Sequence, residues 1–267
     1  MVQLVIDGVQ YSNTYLVPLV VSLGLVFGSF NSVLVGRIPD RENINGRSKC
    51  PKCGTQLAAR DNIPVLGYLM LRGKCRNCKN PISSRYLLLE MCTAAAMFIP
   101  LFRFQGYFVI AAWESFIIFG IALIAIDLEH HRLPDLLTGP LFLSGAIFLG
   151  IDAFKNHHTS QLFHALLYGF SACAIFYSIH ILSKGGMGMG DVKLAASMGL
   201  FSGYVSATAV YVSAMTGFAL GSLVGVSLMV AKKATRKTAV PFGPFMIVGT
   251  VLSLWITPVI NQVRGFN

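Results

Sequence analysis

The sequence predicts an all-α polytopic membrane protein with about eight transmembrane helices. Three observations support this fold class. Hydrophobic residues make up 54% of the 267-residue chain, and only 12% of residues are charged, about half the usual fraction for a globular protein. The mean hydropathy is +0.65. Finally, the apolar residues are gathered in runs close to the roughly 20 residues that a helix needs to cross a bilayer.

Seven apolar runs are predicted to be membrane spans, and an eighth is weaker. The seven strong runs are 15–35, 86–101, 107–126, 136–151, 162–182, 205–230 and 240–260. The weak run, 192–201, is short and ends at Ser202-Gly203. The first ten residues lack the basic n-region of a cleavable signal peptide, so we expect the first run to be retained as a span.

The positions of the basic residues favour a topology of eight crossings with both termini outside. If every run crosses, the inside loops hold residues 37–85, Arg132, Lys184, Lys193, Lys232, Lys233, Arg236 and Lys237, whereas only Arg103, Lys155 and Arg264 lie outside. If the weak run does not cross, the cluster at 232–237 moves outside, which violates the positive-inside rule. The net charge of +10 is then a topology signal. Anionic membrane lipids are its natural partner, and no nucleic acid is required.

The chain divides into an N-terminal transmembrane segment (1–36), a polar cytosolic loop (37–85) and a transmembrane core (86–267). The loop is basic and is interrupted by Pro39, Pro51, Pro64 and Pro81. Its 49 residues are too few for an independent hydrophobic core, so we expect a covalent or metal cross-link to hold it together.

Four cysteines in this loop predict a structural zinc site that resembles a zinc ribbon. They form the pairs Cys50-Pro-Lys-Cys53 and Cys75-Arg-Asn-Cys78, which are 21 residues apart. Four thiolates close a tetrahedral Zn²⁺ site without leaving a position for substrate. Two disulfides or a redox pair are the alternatives, but a cytosolic loop disfavours disulfides. Cys92 and Cys173 lie in predicted spans, where we expect small buried side chains.

Two acidic residues beside apolar runs are the candidate catalytic residues. Asp127 ends the third run, and Asp191 precedes the weak run in Gly188-Met-Gly-Asp191-Val-Lys193. An aspartate within a membrane helix costs about 2.5–3.5 kcal/mol, so such residues are functional candidates. The topology places both at the cytosolic face. Two neighbouring carboxylates can share a proton, so that one activates water while the other donates to an amide carbonyl.

Structural and transport roles are the alternatives for these acids. Asp127 could be an interfacial cap, and Asp191 could be a helix N-cap, for which aspartate is favoured. A third acid, Asp135, follows Leu133-Pro134 and is expected to be the N-cap of the fourth span. Acids and glycine-interrupted helices also mark ion pathways in transporters. A transporter of that kind is expected to contain inverted repeats, and the sequence has no internal repeat.

An ordered set of motifs resembles the type IV prepilin peptidases, a bacterial family of GxGD aspartyl proteases. The matching segments are Gly28-Ser-Phe30, Arg37-Ile-Pro39, both cysteine pairs, Asn62-Ile-Pro64, Gly73-Lys-Cys75, Ile82-Ser-Ser-Arg-Tyr86, Glu90, Asp127-Leu-Glu-His-His-Arg-Leu-Pro-Asp135, Gly188-Met-Gly-Asp191 and Pro241-Phe-Gly-Pro244. The chain departs from the pattern where Asn31-Ser32 replace Leu-Asn and where Glu129 replaces the more frequent aspartate.

The resemblance implies an inner-membrane enzyme with two activities. Asp127 and Asp191 correspond to the catalytic pair of an aspartic endopeptidase. The implied substrates are prepilins and pseudopilins of type IV pilus and type II secretion systems, cut at the cytosolic face after a glycine. The second activity is N-methylation of the new N-terminus with S-adenosylmethionine. A peptidase without methyltransferase activity, and a methyltransferase with inert protease motifs, remain alternatives. Neither the methyl-donor site nor the oligomeric state follows from the sequence.

Overall fold

The computed structural model describes residues 17–183, 186–233, 235, 238 and 240–263. The first two residues of the first predicted span lie outside these ranges, as do the N-terminal residues on which the signal-peptide expectation rests. Four basic residues that entered the charge count also lie outside them: Lys184, Arg236, Lys237 and Arg264.

The fold-class prediction is confirmed, because the described residues form α-helices joined by turns, with one 3₁₀ turn and no strand. The helices are α1 (Val17–Arg37), α2 (Leu66–Met70), α3 (Ser84–Ala96), α4 (Ile99–Arg103), α5 (Tyr107–His130), α6 (Asp135–Lys155), α7 (Thr159–Leu182), α8 (Met189–Val205), α9 (Ala207–Val230) and α10 (Gly243–Val263). Within the described part of the chain, seven candidate membrane spans have sufficient length and hydropathy: α1, α5, α6, α7, α9, α10 and the segment Ser84–Arg103.

The second predicted span consists of two helices in succession. Helix α3 ends at Ala96, and α4 begins at Ile99 with Pro100 in its first turn. Proline lacks an N–H group and its ring clashes with the preceding turn, so it is tolerated at a helix start but interrupts a continuous helix. The two helices together still satisfy the length and hydropathy of one span.

The weak predicted run lies within α8, a 17-residue helix. Its length is about 25 Å at 1.5 Å per residue, which is less than the roughly 30 Å hydrocarbon core. The helices that pack most extensively against it are α6, α7, α9 and α10. The contact with α7 is close, because a Cβ at Gly199 would lie 2.5 Å from the Tyr168 carbonyl oxygen. Small residues allow such backbone approach between membrane helices.

The chain comprises two compact units. Unit 1 comprises Met1–Gln105 and Ile117–Ala122, and unit 2 comprises Gly106–Phe116 and Leu123–Asn267. Within unit 2, a buried aromatic cluster joins α5 to α8. The ring centroid of Phe201 lies 5.5 Å from that of Trp113 and 4.8 Å from that of Phe116.

Within unit 1, α1 packs tightly on α3. A Cβ at Gly28 would lie 2.6 Å from the Cα of Glu90, so only glycine allows this approach. Asn31, the residue that departs from the family pattern, is fully buried. Its Nδ2 donates to the carbonyl oxygen of Ile118 at 3.0 Å. The unusual asparagine therefore connects α1 to the part of α5 that belongs to this unit.

A strained turn in unit 1 directs a backbone donor at a buried carboxylate. Val65 has φ 61° and ψ −52°, and Leu66 N–H donates to the Pro64 carbonyl oxygen at 2.6 Å. This is the rare form of γ-turn, which is unfavourable for a β-branched residue. Val65 N–H donates to Glu90 Oε2 at 2.7 Å. Glu90 therefore fastens the turn to α3.

Candidate active site and metal centre

Asp127 lies in the last turn of α5 and is almost fully buried, with 5% of its surface exposed. The helix extends beyond the predicted end at Ile126 and stops where His131 adopts a left-handed conformation, with φ 53°. Gly243 N–H, at the first residue of α10, donates to Asp127 Oδ2 at 3.1 Å. The Asp127 carboxylate therefore caps a helix that begins 116 residues later.

Asp191 lies in the first turn of α8, where the N-cap residue is Gly188. Asp191 is therefore not the N-cap itself but lies three residues after it. Gly188 N–H donates to Asp191 Oδ2 at 3.2 Å, which is the return bond of a capping box. A carboxylate in the first turn is also favourable to the helix dipole. Asp191 thus stabilises the start of α8 and is held in place by it.

The structure brings Asp127 and Asp191 to one site. Leu133 lies against the glycine that precedes Asp191 and against the glycine that donates to Asp127. A Cβ at Gly190, adjacent to Asp191, would lie 2.7 Å from Leu133 Cβ. A Cβ at Gly243 would lie 3.0 Å from Leu133 Cδ2 and 2.8 Å from Asp127 Oδ2. The carboxylate of Asp127 is also within electrostatic range of Asp191. The structure therefore brings two acids that are 64 residues apart in sequence to the same site.

An ion pair lies beside this site. Lys193 Nζ donates to Asp135 Oδ1 at 2.5 Å, with the two side chains 44% and 73% exposed. The sequence favoured Asp135 as an N-cap. In the structure the N-cap of α6 is Pro134, and Asp135 is the first helical residue. The pair connects the segment that follows Asp127 to the helix that carries Asp191.

Sequence reasoning assigned no role at this site to Leu133, Lys193 and Gly243, and it assigned Asp135 only a capping role, although all four belong to the motifs given above. The sequence signal that could have identified these four residues was their position in three motifs: Arg132-Leu-Pro-Asp135, Asp191-Val-Lys193 and Pro241-Phe-Gly-Pro244. Their roles depend on contacts between segments distant in sequence, which the spacing of residues within a motif does not specify.

The four predicted zinc ligands also converge. The Sγ atoms of Cys50, Cys53, Cys75 and Cys78 all lie within 4.8 Å of one another. Cys50 Sγ and Cys78 Sγ are 3.8 Å apart, which is about the edge length of a tetrahedron with Zn–S bonds of about 2.3 Å. All four cysteines are free rather than disulfide-bonded. The donor set and its geometry therefore fit a zinc ion.

The two cysteine pairs form matching turns. Cys50 N–H donates to the Thr55 carbonyl oxygen, and Cys75 N–H donates to that of Asn80, each at 2.9 Å. Each first cysteine also accepts through its carbonyl oxygen from the residue four positions later, Gly54 or Lys79. Both of these donor residues, Gly54 and Lys79, have positive φ, 71° and 58° respectively. Gly54 adopts this conformation without strain, because glycine has no Cβ.

Polar contacts stabilise the two cysteine turns and favour metal binding by their thiolates. Hydrogen bonding to the Thr55 hydroxyl lowers the pKa of Cys53 to about 6, which favours the thiolate that binds metal. Asn77 Nδ2 donates to Thr55 Oγ1 at 2.9 Å and so joins the two turns. Arg76 donates to both Asp61 oxygens, at 2.9 and 2.6 Å, and this hydrogen bonding holds the pKa of Asp61 below its usual value.

Comparison with known proteins identifies two family matches along the chain. Residues 22–104 match the bacterial peptidase A24 N-terminal domain. Residues 115–230 match the type IV leader peptidase family. No solved structure shows a significant match to the chain.

Curated relatives with the same name cover most of the chain. The prepilin leader peptidase/N-methyltransferase of Pseudomonas aeruginosa is 31% identical over 280 residues, covering 92% of this chain and 93% of the relative. The protein of that name from Burkholderia pseudomallei is 32% identical and covers 87% and 83%. The one from Dichelobacter nodosus is 32% identical and covers 82% and 74%. None of these names describes a transporter.

Proposed function

Because the chain belongs to the type IV leader peptidase family, we propose that it cleaves prepilin and pseudopilin leaders and N-methylates the new N-terminal residue. The observation that carries the peptidase proposal is the convergence of Asp127 and Asp191 at one site. The match to relatives named for both activities supports the second part. Transport is not proposed, because neither family match indicates it.

In the proposed peptidase reaction, the two carboxylates act as a general acid–base pair. The ionised member takes a proton from water, whose oxygen attacks the carbonyl carbon of the scissile amide. The neutral member donates its proton towards the carbonyl oxygen. Transfer of a proton to the amide nitrogen then releases the new amine, and no covalent enzyme intermediate is formed. The two acids share their proton, so neither role is assigned to one residue alone.

The environment of each acid suits this chemistry. Gly243 and Gly188 each donate a backbone hydrogen bond to Oδ2 of one aspartate. These bonds restrict the orientation of the carboxylates while leaving the other oxygen of each for water or substrate. The glycine-rich approach to Asp191 also allows an extended peptide to lie close to the backbone.

The proposal places the enzyme in the bacterial inner membrane with the four-cysteine loop in the cytosol. The multi-pass character is supported by the seven candidate spans. The orientation follows from the positive-inside argument, under which α8 is the sixth of eight crossings. We retain the division into an N-terminal transmembrane segment (1–36), a zinc-binding loop (37–85) and a transmembrane aspartyl peptidase core (86–267).

The metal centre is proposed to be structural. Cys50, Cys53, Cys75 and Cys78 would hold zinc through four thiolates, and the bound ion would supply folding free energy to the loop. With four protein ligands there is no coordination position for water or substrate, so the ion takes no part in hydrolysis. The methyl group would come from S-adenosylmethionine, and we assign no residue to the methyl-donor site.

Mass spectrometry of a co-expressed prepilin tests both activities in one measurement. The wild-type enzyme should produce a mature N-terminus that is heavier by about 14 Da, the mass of one added CH₂. Asp127→Asn and Asp191→Asn should each leave the leader attached. Robust cleavage by either variant would refute the assignment of the catalytic pair.

A further inference from the structure

The segment that follows Asp127 contacts both halves of the proposed catalytic pair. After the left-handed turn at His131, the chain passes through Leu133 and Pro134 and enters α6 at Asp135. Leu133 lies between Gly190 and Gly243, and Asp135 accepts a hydrogen bond from Lys193. Residues 133–135 therefore touch the start of α8 by one apolar and one ionic contact. We call these three residues the 133–135 brace.

Direct packing of α5 on α8 does not explain the spacing of the two acids. The helices that pack extensively on α8 are α6, α7, α9 and α10, and α5 is not among them. The aromatic contacts between α5 and α8 involve Phe201. Phe201 is ten residues along α8 from Asp191, or about 15 Å at the helical rise. At the catalytic end, the brace joins the two helices.

We propose that the Asp135–Lys193 ion pair is a positioning contact, which holds the 133–135 brace against α8 and so sets the separation of Asp127 and Asp191. The inference rests on the proposed peptidase function. Neither residue is given a role in proton transfer. Their role is to keep the two carboxylates at the distance at which they share a proton, because small displacements of reacting groups reduce rates strongly.

Because the ion pair is exposed, its effect on the positions of the catalytic residues can be measured separately from any effect on folding. Both side chains are more than two-fifths exposed, and exposed ion pairs contribute little to global stability. Removal of one charge should therefore change the geometry of the site without unfolding the protein. Asp135 could instead contact the substrate directly, because it is 73% exposed. That role would alter substrate affinity rather than the rate of the bound complex.

The test measures kcat and KM for prepilin cleavage by the purified full-length enzyme and its variants. Asp135→Asn and Lys193→Gln should each lower kcat about fivefold, as expected for the loss of one exposed pair. KM should stay within about twofold and the melting temperature should not change. The charge exchange Asp135→Lys with Lys193→Asp should restore at least half of the wild-type kcat. Added salt should lower the wild-type kcat towards that of the single variants, because salt screens exposed charges.

Lys155→Gln is the matched control, because it removes an exposed cation from the same unit at the far end of α6. Its kcat should equal that of the wild type. An increase in KM without loss of kcat would overturn the positioning role in favour of substrate contact. A charge exchange no more active than the single variants, or unchanged kcat in both single variants, would also overturn it. Cleavage retained by Asp127→Asn is a separate result and would refute the proposed function itself.

Discussion

Gly243 N–H donates a hydrogen bond to Asp127 Oδ2 at 3.1 Å, and so joins the start of α10 to the end of α5. The same arrangement is repeated locally, where Gly188 N–H donates to Asp191 Oδ2 within one helical turn. Each proposed catalytic carboxylate is therefore held by a glycine amide at the start of a helix. The first bond depends on the tertiary fold, whereas the second is formed within α8 itself.

Replacement of Gly243 by alanine should inactivate the peptidase. The added Cβ would lie 2.8 Å from Asp127 Oδ2 and 3.0 Å from Leu133 Cδ2, so the carboxylate must move. A displacement approaching 1 Å can lower a rate about a hundredfold, and we expect a loss of that order in kcat. Kinetic measurement on a prepilin substrate checks this expectation.

Gly225→Ala provides the control for that substitution. Gly225 lies in α9, and a Cβ added there would have no atom within 4 Å apart from its chain neighbours and the surrounding helix backbone. Alanine in a helix is more favourable than glycine by about 1 kcal/mol. The control should therefore be fully active and at least as stable as the wild type. A Gly243→Ala enzyme with wild-type kcat would contradict the proposed importance of the Asp127 contact.

Leu133→Ala should reduce both activity and stability. Leu133 is 9% exposed and occupies the space between Gly190 and Gly243. Removal of three carbon atoms from such a position costs about 2–3 kcal/mol and leaves the neighbouring segments free to shift. Leu133→Met retains most of the volume and should cost less than about 1.5 kcal/mol. Thermal unfolding and kcat should rank the enzymes as wild type, Leu133→Met and Leu133→Ala.

Purified enzyme should contain about one zinc ion per chain, bound by the four loop cysteines. Cys75→Ser should lose zinc and make the loop more sensitive to protease, because the metal supplies its folding free energy. Cys92 lies outside the cluster and is exposed in the structure rather than buried as the sequence predicted. Cys92→Ser should therefore keep its zinc. Metal analysis and thiol titration measure this difference. Wild-type protein with free thiols and no zinc would refute the metal centre.

Glu90→Ala should release the strained turn at Val65 from α3. The substitution leaves the half-buried Val65 N–H without its acceptor, a loss of about 1 kcal/mol. Trypsin should then cut faster at Arg60 or Arg72, which flank the turn in sequence. Glu90→Gln retains an acceptor oxygen and should stay close to wild type. Equal cleavage rates for all three proteins would show that Glu90 does not hold this turn.

The elements that depend on local sequence were predicted well. The apolar runs anticipated seven helices to within a few residues at most ends, because the length and hydropathy of a span are properties of contiguous residues. The second run was the exception, since Pro100 divides it into α3 and α4. The spacing of the cysteine pairs predicted the convergence of four sulfur atoms, because a metal site with short turns constrains residues close in sequence.

The residues that surround the two acids were predicted less completely. Motif composition selected Asp127 and Asp191, and their catalytic role stays a prediction. It did not indicate that Gly243 would donate to Asp127, or that Asp135 would pair with Lys193 rather than cap α6. These contacts join helices whose order in the bundle is set by side-chain packing among several segments.

The sequence by itself determined the membrane class, the positions of the helices, the four-cysteine cluster and the two candidate acids. Each of these follows from composition or spacing along a continuous stretch of chain. Only the tertiary structure placed Leu133 between Gly190 and Gly243 and brought the start of α10 to Asp127. The physical reason is that hydrophobicity decides which segments enter the membrane, whereas close packing at small residues decides which segments meet there.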